Sequence, residues 1–420
     1  MYSNIVLDIL FVGAVTLIWF MLIYQSLLFF LGHRYWRRTR HPATPIESLP
    51  DDLLPGISVL VPCHNEELVI ANSLQGFLAL DYPRDKIEFL LIDDGSTDHT
   101  ADIIRQFTSD PRVRLIQTPP ESAASGKASA LNYALGFARH PVIAIYDADN
   151  KPEPGALRPL AVELVRDPKL GAAIGMYRAF NRRDALLTRF LNIEGIGFQW
   201  ILQAGRWMLM RFSGLPGTNY VIRRSVLDTL NGWDVQALTE DAELTIRIYQ
   251  AGYQVKFVPA SVTWEQEPET LKVWFRQRRR WVRGSNYLFR KYARKLLRTR
   301  PKRIGIELLY TLSLYYLFFL AIVVSDLLFL LCASGLIRIV VPGPYGAVWF
   351  FAYLTFVFQL LIAVSCETDE DAGANFLLTI VMYFTYCQLW IPVVAMAFYD
   401  DFIAHREIKW VKTTRYKVAP

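Results

Sequence analysis

Short apolar runs alternate with helical patterns through the middle of the chain. The runs at 57–61, 87–92, 113–116 and 142–146 hold four to six residues each and are bounded by polar clusters, which predicts buried β-strands. Amphipathic helical patterns occupy the intervals between them. Strands that alternate with helices favour a mostly parallel sheet with helices on both faces, so the expected fold class is α/β.

Four stretches are apolar over more residues than a buried strand needs. They are Ile5–Leu31, Leu309–Ala333, Val348–Val364 and Phe376–Phe398. A helix that crosses a bilayer needs about 20 apolar residues, so each stretch is a candidate span. The first lacks a basic leader and a small-residue cleavage site, and we therefore expect a retained anchor rather than a cleaved signal peptide.

The segment from Leu186 to Phe212 is rich in Trp, Phe, Leu and Met, with spaced arginines. This pattern fits an amphipathic helix at a membrane interface, a segment that lines a substrate path, or a plain core helix. The sequence leaves these readings open.

The positions of the apolar stretches predict the domain organisation. We expect an N-terminal transmembrane anchor at 1–40, an α/β domain with interfacial helices at 41–303, transmembrane helices at 304–403 and a basic tail at 404–420. Nearly 280 residues separate the first two apolar stretches, which is enough for one large α/β domain.

Charge predicts the side of the membrane on which the α/β domain lies. Residues 272–303 hold fourteen Lys or Arg and no acid, and four arginines follow the first apolar stretch. Basic residues near the ends of spans stay in the cytosol. The formal net charge is +6, but most of this charge adjoins apolar stretches. It therefore indicates anionic headgroups or phosphates as partners and argues against nucleic acid.

The number of spans conflicts with the charge of the tail. One span before the α/β domain and three after it would put the C-terminus outside, whereas the basic tail favours the cytosol. Two explanations remain open. Pro392 could mark a re-entrant or broken segment, or Ile304–Val341 could cross the membrane twice.

Acidic residues follow two of the predicted strands. Asp93 and Asp94 come after the second strand, and Asp147 and Asp149 come after the fourth. Ligands of open α/β sheets bind beyond the carboxyl ends of the strands. Asp147 and Asp149 lie two positions apart, and two carboxylates at that spacing can share a divalent cation with a diphosphate. For either pair of aspartates, a turn or a solvated loop that binds no ligand is the alternative.

Other polar residues at strand and helix ends complete a candidate nucleotide pocket. Lys127 begins a predicted helix, where its ammonium and the free backbone N–H groups suit a diphosphate. The spacing around it differs from that of a P-loop. Pro62, Asn65 and Glu66 follow the first strand and could form another wall of the pocket.

An acidic cluster and a Gln-x-x-Arg-Trp box precede the second apolar stretch. Asp241, preceded by Glu240, is the candidate general base for a sugar hydroxyl, and N-terminal helix charge is the alternative reading. Gln277, Arg280 and Trp281 supply an amide, a cation for a departing diphosphate and an indole on which a sugar can stack.

Together these motifs resemble those of the membrane-integrated family 2 glycosyltransferases, which have the GT-A fold. That group includes the synthases of cellulose, chitin, hyaluronan and poly-N-acetylglucosamine. The resemblance covers about residues 55–300. The motifs that carry it are Val61–Glu66, Asp93–Ser96, Gly126–Ala128, Asp147–Asp149, Thr239–Asp241 and Gln277–Trp281.

The resemblance implies an inverting reaction with a UDP-sugar donor and Mg²⁺ or Mn²⁺. Asp241 would be the base, Asp149 would hold the metal, and Asp93 and Asp94 would contact uridine. The Gln-x-x-Arg-Trp box would bind diphosphate and acceptor, as in processive members. Its basic residue, Arg280, would stabilise the departing UDP.

Two further segments match the family less closely. Gly217 lies in Gly214–Asn219, which resembles the acceptor loop only loosely. Trp410–Arg415 is a candidate gating element that would return to the nucleotide site.

Chain size and the segment Pro268–Leu271 resemble bacterial poly-N-acetylglucosamine synthases most, with hyaluronan-, chitin- and glucan-type synthases as close competitors. The resemblance implies a multi-pass protein of the bacterial inner membrane. Its partners would be the donor, a growing polysaccharide or a lipid acceptor, the bilayer and a small accessory subunit. Transfer of one sugar to a lipid and a non-enzymatic sensor remain alternatives.

Overall fold

The computed structural model describes residues 5–40, 49–121, 123–296, 298, 302–367, 370, 372–406 and 415–416. The strands are β1 (Ile57–Cys63), β2 (Ile87–Asp93), β3 (Val113–Gln117), β4 (Val142–Ile145), β5 (Lys151–Pro152), β6 (Leu170–Ala179), β7 (Tyr220–Arg223) and β8 (Gln254–Glu265). The helices are α1 (Ile5–Arg40), α2 (Ile70–Leu78), α3 (Thr100–Phe107), α4 (Lys127–Leu135), α5 (Leu157–Arg166), α6 (Leu186–Gly197), α7 (Ala204–Met210), α8 (Arg224–Leu230), α9 (Glu240–Gln250), α10 (Leu271–Leu296), α11 (Lys302–Ser313), α12 (Phe319–Ala333), α13 (Tyr345–Ser365), α14 (Ala372–Met382) and α15 (Trp390–Phe398).

The strands form one sheet in the order β3-β2-β1-β4-β7-β6-β8-β5. The predicted strands β1 to β4 are all parallel to their neighbours within this group. Beyond β4 the sheet is mixed, because β7 runs antiparallel to both β4 and β6. The α/β prediction is therefore confirmed, and the parallel arrangement holds for the half of the sheet whose strands the sequence predicted.

The strands of the parallel half lack an alternation of apolar and polar residues because helices cover both faces of the sheet. All seven residues of β2 are buried, as are all four of β4. Because β1, β2 and β4 run parallel, their carboxyl ends lie at one edge of the sheet. The polar clusters that follow these strands are brought together at that edge.

The segment 186–212 packs against the N-terminal helix. Here α6 and α7 are joined by a π-helical segment, Phe198–Gln203. A Cβ on Gly32 of α1 would lie 1.9 Å from the Trp200 carbonyl oxygen, and a Cβ on Gly205 would lie 2.3 Å from that of Leu28. These two glycines let the helices approach closely, so the segment links α1 to the sheet.

Three helices in the described part of the chain are long and apolar enough to cross a membrane: α1, the run 314–333 that includes α12, and α13. A fourth candidate consists of α14 and the helical run 387–403, which includes α15, bent by 42° at a short break. The segment that contains Pro392 is therefore broken, as one of the two open explanations expects, and Pro392 lies in the first turn of α15, after the break. Helical structure from 302 to 333 contains one candidate span rather than two.

Candidate functional site

Two aspartates at the end of β2 are held by hydrogen bonds. Asp93 accepts from the Ser96 backbone N–H (3.0 Å) and from Nε2 of Gln117 (3.1 Å). Asp94 accepts from the Thr118 hydroxyl (3.0 Å). Both aspartates are buried. Side chains fixed in this way can present oxygen acceptors to a base or a ribose without further ordering.

The end of β1 lies beside these aspartates. Pro62 is paired with the strand β2, and Asn65 adopts a left-handed conformation with φ 55°. Oδ1 of Asn65 accepts from the Thr97 backbone N–H (2.7 Å), and the Glu66 backbone N–H donates to Oγ1 of Thr100 (2.7 Å). These hydrogen bonds join the loops after β1 and β2.

Lys127 connects three of the predicted site residues. Its ammonium lies 2.5 Å from Oδ1 of Asp147, donates to the Gly217 carbonyl (2.7 Å), and lies 3.6 Å from Oε1 of Glu240. Burial alone would lower the pKa of Lys127, but Asp147 and Glu240 raise it above its ordinary value. The lysine therefore stays charged and fixes the spacing between the carboxylates of β4 and α9.

Asp149 is almost completely buried, with both carboxylate oxygens engaged. Oδ2 accepts from the Gln266 backbone N–H (3.1 Å), and Oδ1 is bound by Nη2 of Arg415 (2.9 Å). Burial raises the pKa of Asp149 and the nearby Asp147 adds to the rise, while Arg415 opposes it. An acid that is costly to ionise when unpaired is well placed to bind a cation.

Residues 415 and 416 reach the site from the C-terminal tail. The Tyr416 backbone N–H donates to Oε1 of Gln266 (2.8 Å), and Nε2 of Gln266 donates back to the Tyr416 carbonyl (3.0 Å). Nε of Arg415 also lies 3.9 Å from Oε2 of Glu66. The predicted gating segment thus returns to the site at its last residue; its other residues, 410–414, lie outside the described residues.

Asp241 lies in the first turn of α9, facing Gly217. A Cβ on Gly217, whose φ is +88°, would lie 3.3 Å from Oδ2 of Asp241. Burial and the adjacent Glu240 raise the pKa of Asp241 to about 7, against the opposing charges of Lys127 and Arg280. A carboxyl with this pKa can exchange a proton near neutral pH, which general-base catalysis requires.

The Gln-x-x-Arg-Trp box lies on α10, with its three side chains in different surroundings. Nη1 of Arg280 donates to the Leu238 carbonyl (3.3 Å), just before Asp241 in the chain. Oε1 of Gln277 is buried without a hydrogen-bond partner in the described part of the chain. One face of the Trp281 ring is covered by the guanidinium of Arg278, 4.0 Å from the ring centroid.

The contacts join six of the predicted residues into one cluster: Lys127, Asp147, Gly217, Glu240, Asp241 and Arg280. Arg280 acts on Asp241, which lies with Glu240 beside Lys127, and Lys127 binds Asp147. An open cleft of about 550 Å³ extends from this point, between the start of α4, the loop 235–240 and the helix α10. Its size suits a sugar-sized acceptor that approaches Lys127 and Glu240 from solvent.

A family model described as "Glycosyltransferase like family 2" matches residues 55–284, which is more than half of the 420-residue chain. The chain belongs to glycosyltransferase family 2. The resemblance drawn from the motifs is therefore confirmed, and so is the prediction that the protein is an enzyme of the transferase class.

Two family 2 relatives illustrate the range of similarity. The probable glycosyltransferase YdaM of Bacillus subtilis (strain 168) is 41% identical over 413 residues, 97% of this chain and 98% of that protein. The poly-beta-1,6-N-acetyl-D-glucosamine synthase of Staphylococcus aureus (strain COL) is 28% identical over 267 residues, 63% of each chain. The first similarity extends through the C-terminal helices.

One solved glycosyltransferase structure has the same fold as this chain. The mannosyltransferase PcManGT from Pyrobaculum calidifontis, solved with GDP-Man and Mn²⁺, superposes with a TM-score of 0.60 at 20% identity, over 95% of this chain and 100% of that one. This similarity supports the GT-A fold of a glycosyltransferase family 2 member, and at this identity it supports the fold alone.

The two acids that follow β4 fit a divalent cation that is bound together with a diphosphate. Mg²⁺ and its analogues take one or two carboxylates from the protein and the remaining ligands from phosphate and water. Asp147 and Asp149 provide two carboxylates, and each already binds a cationic side chain. Among the described residues, no group of three or more His, Cys, Asp or Glu side chains could hold a metal ion without a phosphate ligand.

Several residues of the site were absent from the sequence analysis. Gln266 holds Asp149 and the tail, and Oγ1 of Thr218 accepts a hydrogen bond from the Asp147 backbone N–H (3.1 Å). Glu265 and Glu267, also near Asp149, have pKa values raised by burial and by their neighbours' charge. They follow strand β8, so the rule that identified Asp149 could have identified them.

Proposed function

We propose that this family 2 glycosyltransferase is a processive, inverting β-glycosyltransferase that polymerises a UDP-sugar, with UDP-N-acetylglucosamine as the best candidate. The observation that carries the proposal is the convergence of Asp241, with a pKa near 7, and the Asp147 carboxylate around Lys127, with Asp149 close to Asp147. The similarity to poly-beta-1,6-N-acetyl-D-glucosamine synthase supports the choice of sugar. Hyaluronan-, chitin- and glucan-type synthesis are the alternatives within this class.

Donor binding follows from the acceptors and cations of the pocket. Asp93 and Asp94 would accept hydrogen bonds from the uridine, with Pro62, Asn65 and Glu66 forming the adjacent wall. Lys127, at the N-terminus of α4, would move from its carboxylate partners toward the diphosphate. Bound Mg²⁺ or Mn²⁺, held by Asp149 and Asp147, would supply Lewis-acid stabilisation of that diphosphate.

The transfer itself would be a single displacement. An acceptor hydroxyl attacks the anomeric carbon of the donor while the bond from that carbon to the diphosphate oxygen breaks. Asp241 takes the hydroxyl proton, and Glu240 keeps the pKa of Asp241 high enough for this role. Arg280 would neutralise charge on the departing UDP. Attack from the opposite face inverts the configuration and gives a β-linkage.

Extension of a bound chain rather than a single addition is favoured by the surroundings of the Gln-x-x-Arg-Trp box. Arg278 binds Oε2 of Glu194 on α6 (2.6 Å), and the Tyr386 hydroxyl donates to the same oxygen (2.9 Å). Nε1 of Trp274 lies 3.2 Å from that hydroxyl. Polar and aromatic groups thus continue from Gln277 and Trp281 toward the membrane helices, where an accessory subunit would assist the product, while Gly217 would contact the acceptor beside Asp241.

A turnover screen tests the proposal directly. Purified protein in lipid is incubated with UDP-glucose, UDP-N-acetylglucosamine or UDP-glucuronic acid, and the products are sized and analysed for linkage. We expect a ladder of long β-linked products from UDP-N-acetylglucosamine. A single lipid-soluble product would instead support the transfer of one sugar to a lipid acceptor, and no turnover with any donor would favour a sensor.

We further propose that the domain containing 41–303 and the tail 404–420 lie on the cytosolic side of a bacterial inner membrane. Oε1 of Glu370 accepts from Asn192 just before α14 (3.0 Å), and Asp401 accepts from Nε of Arg283 just after α15 (2.7 Å). The two ends of the bent pair therefore contact the same α/β unit. A pair that enters and leaves on one side, as a re-entrant unit, removes the conflict between span number and tail charge.

Reporter fusions check this topology. Green fluorescent protein fused after residue 420 should fluoresce, and alkaline phosphatase at the same place should be inactive, because the tail is expected in the cytosol. Fusions after Val341, in the connection between α12 and α13, serve as the control and should give the reverse pattern. Active alkaline phosphatase after residue 420 would contradict the re-entrant arrangement.

Arg415→Gln should strengthen Mn²⁺ binding in the absence of donor. The guanidinium and the metal would use the same Oδ1 oxygen of Asp149, so removal of one competitor favours the other. Because the charge-assisted contact with Arg415 no longer competes, Mn²⁺ should bind roughly tenfold more tightly than in wild type, as measured by electron paramagnetic resonance titration. Arg105→Gln, which removes an exposed cation on α3, is the control. Equal affinity in all three proteins would exclude competition by the tail.

A further inference from the structure

A glutamine at the end of the π-helical segment Phe198–Gln203 binds the main chain of the loop 214–219, which precedes β7. Nε2 of Gln203 donates to the Gly214 carbonyl (2.8 Å), and Oε1 of Gln203 accepts from the Gly214 backbone N–H (3.0 Å). The Gln203 side chain is buried, where hydrogen bonds are stronger than in water. One side chain therefore fixes both polar main-chain groups of the first residue of the loop.

A threonine of α9 holds the next residue of the loop. The Leu215 backbone N–H donates to Oγ1 of Thr245 (2.9 Å), and the Thr245 hydroxyl donates to the Asp241 carbonyl (2.9 Å), one helical turn earlier. Both Thr245 and Leu215 are buried, so loss of the hydroxyl would leave a buried N–H without its partner. This hydroxyl therefore joins the loop to the turn of α9 that carries the candidate base.

The other end of the loop is bound to the sheet. Nδ2 of Asn219 donates to the Met176 carbonyl on β6 (2.9 Å), and Oγ1 of Thr218 accepts from the Asp147 backbone N–H after β4 (3.1 Å). The residue that faces the candidate base, Gly217, lies between the two ends. The position of Gly217 therefore depends on the sheet at one end of the loop and on Gln203 and α9 at the other.

Gln203 has a firm support, because the helical run that carries it packs closely on α1. The Trp200 carbonyl lies against Gly32, and Gly205 lies against the Leu28 carbonyl, with no room for a Cβ at either glycine. π-Helical segments are rare and occur frequently at functional sites. No step of the transfer reaction proposed above uses Gln203 or its segment.

The loop has open space beside Gly214 and the candidate base beside Gly217. A Cβ on Gly214 would have no other heavy atom of the described residues within 4 Å, whereas a Cβ on Gly217 would lie 3.3 Å from Oδ2 of Asp241. An acceptor that reaches Asp241 along this loop would therefore contact its main chain. The place of the acceptor hydroxyl then depends on the place of the loop.

We propose that Gln203 and Thr245 are positioning residues that hold the loop 214–219 beside Asp241 and thereby set the distance between the acceptor hydroxyl and the base. They act through the main chain of Gly214 and Leu215. A misplacement of about 1 Å can lower a reaction rate by about 10²-fold, so two buried contacts on adjacent residues suit this task. This inference rests on the proposed role of Asp241 as the base, and it holds for a polymer and for a single addition.

The test measures transfer and donor hydrolysis in the same reaction. Gln203→Met and Thr245→Val nearly keep the size of the side chain and remove its hydrogen bonds. The purified proteins in lipid are incubated with UDP-N-acetylglucosamine, and the sugar transferred to product is compared with the free sugar released by water. We expect transfer to fall about 10- to 100-fold and hydrolysis to fall less than about twofold, because water needs the base on α9 but not the loop.

Conservative and matched variants separate positioning from a structural role. Thr245→Ser keeps the hydroxyl and should restore transfer to near the wild-type rate. Gln359→Met is the matched control for Gln203→Met, because Gln359 on α13 is also buried and donates to Oγ of Ser26 (2.8 Å). It should leave the ratio of transfer to hydrolysis unchanged. Gly214→Ala, whose methyl group enters open space, should fold normally and lower transfer more than hydrolysis.

The possible outcomes distinguish this inference from the proposed function. Equal losses of transfer and hydrolysis, or no better transfer by Thr245→Ser than by Thr245→Val, would show that the contacts only stabilise the fold. Unchanged transfer in Gln203→Met and Thr245→Val would also overturn the inference. If both variants fail to fold, wild-type transfer by Gly214→Ala would overturn it. An absence of turnover by wild type with every UDP-sugar would instead overturn the proposed function, and this inference with it.

Discussion

Asp241→Asn is expected to lower turnover by about 10²- to 10⁴-fold, the usual contribution of a positioned general base. The amide has the shape of the carboxyl, so the turn of α9 and the contact with Gly217 should persist. It cannot take a proton from the acceptor hydroxyl. Because the uridine contacts are assigned to other loops, the affinity for UDP should remain near that of wild type. Initial rates and calorimetric UDP titration measure the two quantities.

Asp228→Asn is the matched control for this substitution. Asp228 lies on α8, its side chain is more than half exposed, and its only ion pair in the described part of the chain is with Arg224 on the same helix. Turnover should be unchanged in this variant. Polymer synthesis by Asp241→Asn at the wild-type rate would refute the assigned base.

The pH dependence of the reaction should report Asp241 and depend on Glu240. The base acts when deprotonated, and its pKa of about 7 predicts a kcat/KM that rises with pH through neutrality and levels off above it. Glu240 is the second cause of that raised pKa, after burial. Glu240→Gln should therefore move the acid limb to lower pH. A limb that stays in place would show that another group controls it.

The sequence predicted the half of the fold in which local signals are strongest. Strands β1 to β4 are short apolar runs with polar ends. The local sequence alone predicts that such runs are buried, without knowledge of the segments that pack on them. The antiparallel pairing of β7 with β4 and β6 depends on contacts between distant segments, which no local pattern contains.

The place of the predicted site residues in the fold follows from the sequence where they come after strands, and less completely on α10. Asp147 and Asp149 could be predicted because parallel strands bring their carboxyl ends together. Arg278 covers Trp281 because the two residues lie three positions apart on α10, whereas the ion pair of Arg278 with Glu194, 84 residues away, has no local signal. The pairing of Arg415 with Asp149 spans 266 residues, and the sequence indicated only that the tail segment returns to the site.

Asp149→Asn should abolish metal-dependent donor binding and lower turnover by at least about 10³-fold, because a metal provides several kcal/mol of charge stabilisation in such transfers. The asparagine can still accept from the Gln266 backbone N–H, so the local backbone should be retained. Mn²⁺ titration by electron paramagnetic resonance and UDP binding with and without Mn²⁺ are the measurements. Unchanged Mn²⁺ affinity would remove Asp149 from the metal site.

Stability separates this role from a structural one. Burial raises the pKa of Asp149, so folding favours its neutral form, and the stability present at acidic pH is lost as pH rises through the raised pKa. An asparagine is always neutral and avoids that cost at pH 7. The variant should therefore lose less stability without metal than breakage of the ion pair with Arg415 alone would cost. If Asp149 served only to hold the tail, Asp149→Asn would lower the melting temperature and leave Mn²⁺ binding intact.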